Sequence, residues 1–383
     1  MSTSVAAPQG AIAVPPLNLA AGFAAQEQEL IAELTAIAKS GQYILGPKTA
    51  AFEQALAQYC HAKHALGMSS GTDAHLAGLM AMGIGPGDEV IVPAFTFFAT
   101  AGCVARVGAK PVFCDIDPVT YNMCPKHTES LITPRTKAIS PVHLYGQLAD
   151  MKALMALGAR RKLPVIEDAA QAIGAHQDGV GWAGAIGHFG WLSFYPTKNL
   201  GAMGDAGALL TNDDAFVQLC TKVRIHGSGH TYHHEMVGGN FRIDAIQAAL
   251  LHIKLRRLEE VTLRRREKAQ GYTRRFAAAG LEGEFVQTPR EVFGRHVYHQ
   301  YILRAKRRDE LAAHLKERQI GCGVYYPVPL HLQKCFAYLG GREGQLPESE
   351  RASREVLGLP IYPELSDAQQ DAVVDAIAGF YRR

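Results

Sequence analysis

The chain has no CxxC pair among its seven cysteines, Cys60, Cys103, Cys114, Cys124, Cys220, Cys322 and Cys335. Odd in number and scattered, they suit neither a disulfide framework nor a structural zinc site, and read as reduced thiols of a cytosolic protein. A strong charge of one sign is also missing: 39 Lys and Arg against 36 Asp and Glu leave a formal net charge of +3. That is too little to argue for nucleic acid or an anionic membrane surface as partner. No run approaches the ~18 consecutive apolar residues of a membrane span. The opening stretch, MSTSVAAPQGAIAVPP, lacks a basic segment followed by a long apolar one, so no secretory signal is expected. Residues 1–16 read as a flexible N-terminal arm, and the whole as a soluble cytoplasmic protein. Internal repeats and low-complexity segments are absent as well.

What is present is enough for a substantial core. At 383 residues the chain can form two domains of about 100–200 residues each. Its 48% hydrophobic and 20% charged residues are ordinary for a globular protein. From Gln26 the spacing predicts two helices, QEQELIAELTAIAK, stopped by Gly41, and TAAFEQALAQYCHA. Apolar strand-like runs then alternate with helical segments: HALGMS, TDAHLAGLMAM, DEVIVPA, FFATAGCVARVG, KPVFCDID, KAISPVHLYG, MKALMALGARRK, LPVIEDA, HFGWLSFYP and AGALLTN. This rhythm indicates an α/β domain on a mostly parallel sheet, spanning residues 17–250.

The texture changes at Leu251. Leu251, Leu255, Leu258, Thr262, Arg265, Ala269, Tyr272 and Phe276 recur at steps of four and three, which predicts one long amphipathic helix linking the domains. Its arginines alternate with acidic residues and lack a stacking set of aromatics, so a solvated face is expected rather than a nucleic-acid surface. Shorter elements follow, giving a smaller α+β domain over residues 251–383, linking helix included.

Ligands gather at the carboxyl ends of parallel strands. Three such ends stand out. VIEDAAQAIGA sets Asp168 and Gln171 just past one strand, and SFYPTK sets Ser193 and Lys198 past another. MSSGTDAH sets Ser70, Gly71 and Thr72 at the start of a helix, where free amides and the macrodipole suit a phosphate. Taken singly, Asp168 could cap a helix, Ser70 could be only an N-cap and Lys198 a solvated surface residue. Together they match pyridoxal 5′-phosphate, which needs a lysine for its Schiff base, an acid facing the pyridinium nitrogen and a phosphate cup. Gln171 can reach the phenolic oxygen, and Phe97 in PAFTFFAT can cover a ring face. The freed Lys198 amine is then the candidate for moving the substrate's proton. The Tyr-Pro-Thr corner before Lys198 and the glycines after it make sense as a frame for that lysine.

At these residues the chain resembles the DegT/DnrJ/EryC1/StrS family of sugar aminotransferases, within the fold type I pyridoxal-phosphate enzymes. The resemblance runs from about Leu17 to the C-terminus through GQYILGP, SSGTDA, GPGDEVIVPAFTFFATA, VHLYGQLADM, VIEDAAQAIGA, SFYPTKNLGAMGDAG, GGNFRIDAIQAAL and VYYPVPLHLQ. It implies an aspartate-aminotransferase-like large domain with a smaller α+β C-terminal domain. It implies Lys198 as the Schiff-base lysine, Asp168 as the pyridinium partner and Gln171 as the phenolic-oxygen contact. Gly71, Thr72 and Ser193 are implied for the phosphate, and Asn240 for the phosphate of the neighbouring subunit, in a homodimer with shared active sites. Related sugar 3-dehydratases carry histidine where Lys198 stands, so transamination is expected. A cofactor-binding regulator without catalysis is the alternative from another class, and the presence of Lys198, Asp168 and Gln171 argues against it.

GQYILGP, IDPVTYN and the YHH before GGN resemble the branch that aminates UDP-linked 2-acetamido-3-oxo hexoses or hexuronates, for surface polysaccharide or lipopolysaccharide, with L-glutamate as donor. The 4-oxo nucleotide-sugar, dTDP-3-oxo-6-deoxyhexose and cyclitol enzymes share pieces of the same motifs and stay open. Arg242 is a candidate carboxylate anchor, with a structural ion pair as its other explanation. His230, Tyr232, Tyr325 and Tyr326 stand as further candidate substrate contacts. The loop with His226, His230, His233, His234 and Glu235 has spacing compatible with a metal, but no second ligand group accompanies it. A substrate-facing loop and no metal are expected there.

Overall fold

The structure, a computed structural model, describes residues 12–230 and 232–382. Seven strands build the larger unit: β1 (His64–Met68), β2 (Glu89–Pro93), β3 (Lys110–Cys114), β4 (Thr136–Ile139), β5 (Ile166–Asp168), β6 (Phe189–Ser193) and β7 (Gly207–Thr211). They lie in the order β1-β7-β6-β5-β4-β2-β3, with β5 joined to β4 by bridges Ile139–Val165 and Val142–Asp168. Only β7 runs against the rest; the other pairings are parallel. β2 and β7 are buried along their length, as expected of strands covered on both faces.

Helix α1 (Gly71–Ala81) follows β1 and helix α2 (Ala99–Arg106) follows β2. Both pack on the sheet through small residues. A Cβ on Gly78 of α1 would meet the Phe189 ring at 2.4 Å, so glycine there lets the helix sit down on β6. Because the parallel strands point the same way, their carboxyl ends open on one edge, where the five segments after β1, β2, β4, β5 and β6 converge.

The linking helix departs from the expectation of one continuous element. The apolar stripe is where the spacing puts it, with Leu251, Leu255, Leu258, Thr262, Arg265, Ala269, Tyr272 and Phe276 all buried. The backbone nevertheless breaks at Arg256–Arg257 into α3 (Ala245–Leu255) and α4 (Leu258–Ala278). The two halves serve different cores. Leu251, Leu255 and Leu258 join the cluster under the large sheet, whereas Ala269, Tyr272 and Phe276 join one with the C-terminal elements. One straight helix would carry the stripe past both cores at a single orientation, and the offset at Arg257 re-aims it.

The smaller unit is an antiparallel sheet of β8 (Val286–Gln287), β9 (Tyr301–Ala305) and β10 (Val356–Leu359), covered by α4 and α5 (Asp367–Tyr381). The end of the N-terminal arm is docked here, which corrects the expectation of a loose segment for residues 12–16. Val14 is fully buried, its N–H donates to Gln319 O at 3.0 Å, and its carbonyl accepts from Gly321 N at 2.8 Å. The rest of the arm, residues 1–11, lies outside the described residues. Among the described residues, no helix is long and apolar enough to cross a membrane.

Candidate active site

Lys198 sits in the segment joining β6 to β7, and that segment is fastened from several sides. Its own backbone folds back, with Lys198 N–H on Tyr195 O, Ala202 N–H on Phe194 O and Phe194 N–H on Ala206 O, each at 2.8 Å. Helix α3 grips it with two side chains seven residues apart on one face. Gln247 accepts from Met203 N–H at 2.9 Å and donates to Met203 O at 3.1 Å, and Lys254 Nζ donates to Gly201 O at 2.6 Å. Asn199 Nδ2 adds a bond to Val297 O at 3.0 Å. Among the described residues, no carboxylate lies within ion-pair distance of Lys198. Burial therefore lowers its ammonium to about 8, with the Asp168 charge pulling the other way. His299 lies close by with Nδ1 buried and unpartnered. Burial, then the charges of Lys198 and Arg265, hold its imidazole well below the usual histidine range, so it is neutral.

Asp168 ends β5 and is 6% exposed. Its Oδ2 accepts from Thr100 Oγ1 at 2.7 Å and its Oδ1 from Ala170 N–H at 3.1 Å. Burial pushes the carboxyl above its ordinary value, while those two bonds, Lys198 and His143 pull it back. The neighbouring Glu167 faces the other side of the strand and is fully buried. It accepts from Gly184, Ile186 and Gly187 N–H at 3.0, 2.7 and 2.6 Å, and meets His143 Nε2 at 2.8 Å. Since Ala149 N–H donates to His143 Nδ1 at 3.1 Å, the ring hydrogen is on Nε2 and points at Glu167. This network braces the backbone from which Asp168 projects.

Gln171 is oriented by two partners. Its Oε1 accepts from Tyr145 N–H at 2.7 Å and its Nε2 donates to Tyr326 Oη at 3.1 Å. The amide thus offers its remaining N–H, not its oxygen, to whatever lies in front. Tyr326 packs against Phe95 and Phe97, with ring centroids 6.1 and 6.2 Å away, and burial and the Asp168 charge raise its phenol. Tyr145 Oη donates to the carbonyl of Tyr325, which ties the smaller unit to this edge. Phe97 is 58% exposed, a large apolar face open at the same edge.

At the start of α1, Ser70 Oγ accepts from Asp73 N–H at 3.0 Å, and the amides of Gly71 and Thr72 donate to no described residue. An added Cβ on Gly71 would sit 2.9 Å from Ser193 Cβ, so glycine lets the helix terminus close on the end of β6. Two free amides and a hydroxyl then face one spot at the positive end of a helix, a cradle for an anion.

Lys198, Asp168, Gln171, Ser193, Gly71, Thr72, Phe97, Tyr325 and Tyr326 are thus gathered on one edge. Asn240, Arg242, His230 and Tyr232 are not in contact with that group within the chain. Asn240 and Arg242 line a cleft of about 460 Å³ beside Ser69, with Gly204 and Asp205 on its wall. His230 and Tyr232 lie exposed on the hairpin of Ser228–His230 and His233–His234, Tyr232 at 91%. In that segment His234 Nδ1 meets His226 O at 2.9 Å and Glu235 pairs with Lys222. Among the described residues, no three His, Cys, Asp or Glu side chains are grouped to hold a metal.

The sequence reading missed Thr100, His143, Glu167, Gln247 and Lys254. Gln247 and Lys254 carried a signal, since they share one face of the helix that follows GGNFR. Thr100 carried a weaker one, a hydroxyl in the first turn of a predicted helix, four residues after the hydroxyl of Thr96.

The profile described as the DegT/DnrJ/EryC1/StrS aminotransferase family matches residues 24–378. A Geobacillus stearothermophilus protein named pleiotropic regulatory protein is 52% identical, over 96% of this chain and 99% of its own. A UDP-N-acetyl-3-dehydro-alpha-D-glucosamine 3-aminotransferase of Acidithiobacillus ferrooxidans is 43% identical, over 93% and 95%. A dTDP-3-amino-3,4,6-trideoxy-alpha-D-glucose transaminase of Streptomyces venezuelae is 41% identical, over 97% of each. The crystal structure of S. venezuelae DesV with a ketimine intermediate superposes with a TM-score of 0.93 at 41% identity, over 97% of this chain and 99% of that one.

Proposed function

Because this chain belongs to the DegT/DnrJ/EryC1/StrS aminotransferase family and is a pyridoxal-phosphate-dependent sugar aminotransferase, we propose that it carries the amino group of L-glutamate to a UDP-linked 2-acetamido-3-oxo sugar. The product is an amino sugar for surface polysaccharide or lipopolysaccharide, and the enzyme works as a cytoplasmic homodimer. The observation that carries the chemistry is a lysine with a lowered pKa beside a buried carboxylate and an oriented amide. The UDP-linked acceptor is supported by the Acidithiobacillus relative's name.

The residues fit pyridoxal phosphate. The unpaired amides of Gly71 and Thr72 and the Ser193 hydroxyl would hold its phosphate, Asp168 its ring nitrogen, the free N–H of Gln171 its phenolic oxygen and Phe97 one ring face. When bound, the cofactor supplies an electron sink conjugated to the carbon that loses its proton. Asp168, as an anion where water is excluded, would keep a proton on the ring nitrogen. Lys198, which would be the attachment point for the cofactor, would take the proton from the donor's α-carbon and deliver it to the cofactor carbon within the same half-reaction, then run the reverse transfer with the acceptor. The neutral His299 beside it leaves the amine without a competing acid. Arg242, His230, Tyr232, Tyr325 and Tyr326 are assigned to the substrates.

A dTDP-linked 3-oxo deoxyhexose is the second reading, favoured by the Streptomyces relative. A panel of UDP- and dTDP-linked 3-oxo and 4-oxo sugars, each with L-glutamate, separates the two. UDP-2-acetamido-3-oxo sugars are expected to give the highest kcat/KM by at least about tenfold. A dTDP sugar ahead by that margin transfers the assignment to the second reading, and turnover of none of them overturns both.

We assign Asn240 to the phosphate bound by the partner subunit, which fits its exposed position beside Ser69. A ligand gripped by both subunits favours the dimer. Asn240→Ala and cofactor removal are each expected to raise the dimer dissociation constant, read by sedimentation across a dilution series. A fully active monomeric holoenzyme overturns the shared site.

A further inference from the structure

Thr96 lies in the bend after β2 and Thr100 in the first turn of α2, and the connection between them brings their hydroxyls together. Both are shut off from water, at 2% and 0% exposure. Thr96 Oγ1 and Thr100 Oγ1 are 3.2 Å apart, and Thr100 Oγ1 donates to Asp168 Oδ2 at 2.7 Å. A hydroxyl has a single hydrogen. If Thr100 spends its own on an anionic Asp168, its oxygen can only accept from Thr96, so the three groups order themselves as donor, relay and carboxylate.

We propose that Thr100, backed by Thr96, is a positioning residue that holds Asp168 in its charged form and aims its carboxylate at the cofactor ring nitrogen. The inference rests on the cofactor assignment of Asp168 made above. The geometry leaves few other sources of support for that charge. Of Asp168's two direct bonds, the backbone one from Ala170 comes from its own turn and cannot be tuned by substitution. The titratable groups facing Asp168 are Lys198 from the segment after β6, His143 from the segment after β4, Cys103 on α2 and Tyr326 from the smaller unit. Cys103 is neutral, its thiol pushed up to about 12 by burial, and burial and the Asp168 charge raise Tyr326. Burial alone drives Asp168 toward protonation, and the Thr100 bond opposes it. A protonated Asp168 cannot stabilise positive charge on the ring nitrogen.

The test replaces Thr100 with valine, which keeps the branched shape and removes the hydroxyl, and with serine, which keeps the hydroxyl. Cofactor affinity is measured by equilibrium dialysis with pyridoxal phosphate across pH, alongside apo-protein melting and kcat. Thr100→Val is expected to weaken cofactor affinity about tenfold or more, the usual scale for one hydrogen bond to a charge. The acid limb of its affinity profile should move upward by about one pH unit, since loss of the bond raises the Asp168 pKa. Thr100→Ser should restore both to within about threefold. Thr96→Val leaves the Thr100 bond in place and should shift the limb the same way by a smaller amount, which keeps the test alive if Thr100→Val does not fold. An acid limb unmoved in either valine variant overturns the relay. A parent protein that fails to bind pyridoxal phosphate overturns the cofactor assignment of Asp168 itself, and with it the relay.

Discussion

Lys198→Ala should fold, bind pyridoxal phosphate and fail to transaminate, with turnover reduced by at least about 10⁴-fold. Two losses combine. No other described lysine lies among the residues gathered around Asp168, so covalent attachment of the cofactor ends, and the proton carrier goes with it. At pH 8 the Lys198 amine, lowered to about 8, is about half neutral, whereas an ordinary lysine near 10.4 would be neutral to less than about 1%. A free amine added to the medium replaces neither the placement nor the effective concentration of that group. Cofactor retention should persist through Ser193, the α1 terminus and Asp168, without the absorbance band of the lysine-attached form. Single-turnover kinetics with L-glutamate and absorbance spectra of dialysed protein check both statements. Turnover within tenfold of the parent removes Lys198 from the mechanism.

Asp168→Asn is the second large effect, with kcat expected to fall about 10²–10³-fold while the fold survives. An amide has the carboxylate's shape and none of its charge. The Ala170 N–H still finds an oxygen at Oδ1. The Thr96–Thr100 pair can reverse, Thr100 accepting from the new Nδ2 and donating back to Thr96, so no buried hydroxyl is stranded. What disappears is the anion opposite the ring nitrogen, and the electron sink weakens with it. The melting temperature of the apo-protein, in which no ring is present, should change by only a few degrees. Parental kcat in this variant would reduce Asp168 to a member of the turn that follows β5.

Much of this was legible along the chain because it is local. Alternating apolar runs and helical stripes define the strands of a mostly parallel sheet, and the carboxyl ends of those strands name Asp168, Gln171, Ser193 and Lys198. The contacts that were not legible are long-range pairings between residues with ordinary local explanations. Glu167 looks like one more polar residue on a strand, and only three backbone amides some twenty positions onward reveal it as a brace. Lys254 reads as a solvated helix residue until Gly201 O, 53 positions earlier, is placed against it. The break at Arg256–Arg257 was hidden for another reason. The four-three spacing continues through it without a missed beat, and no proline or glycine marks it. Asn240, Arg242, His230 and Tyr232 were named from motifs, and a single chain does not bring them to Lys198.

Val14 changes how the two units are coupled. The chain leaves the smaller unit after Leu17, which packs on that core, and reaches the larger one by Phe23, which packs beside Leu250 and Ile253 of α3. It crosses back at Arg256–Arg257. Further on it crosses again, because Leu330 and Phe336 pack in a core of the larger unit before Leu357 and Leu359 return to the smaller one, and each added crossing restrains relative motion of the two units further. The Lys198 segment, clamped by α3, and Tyr325 and Tyr326, fastened to Tyr145 and Gln171, are thereby held against one another in a single frame.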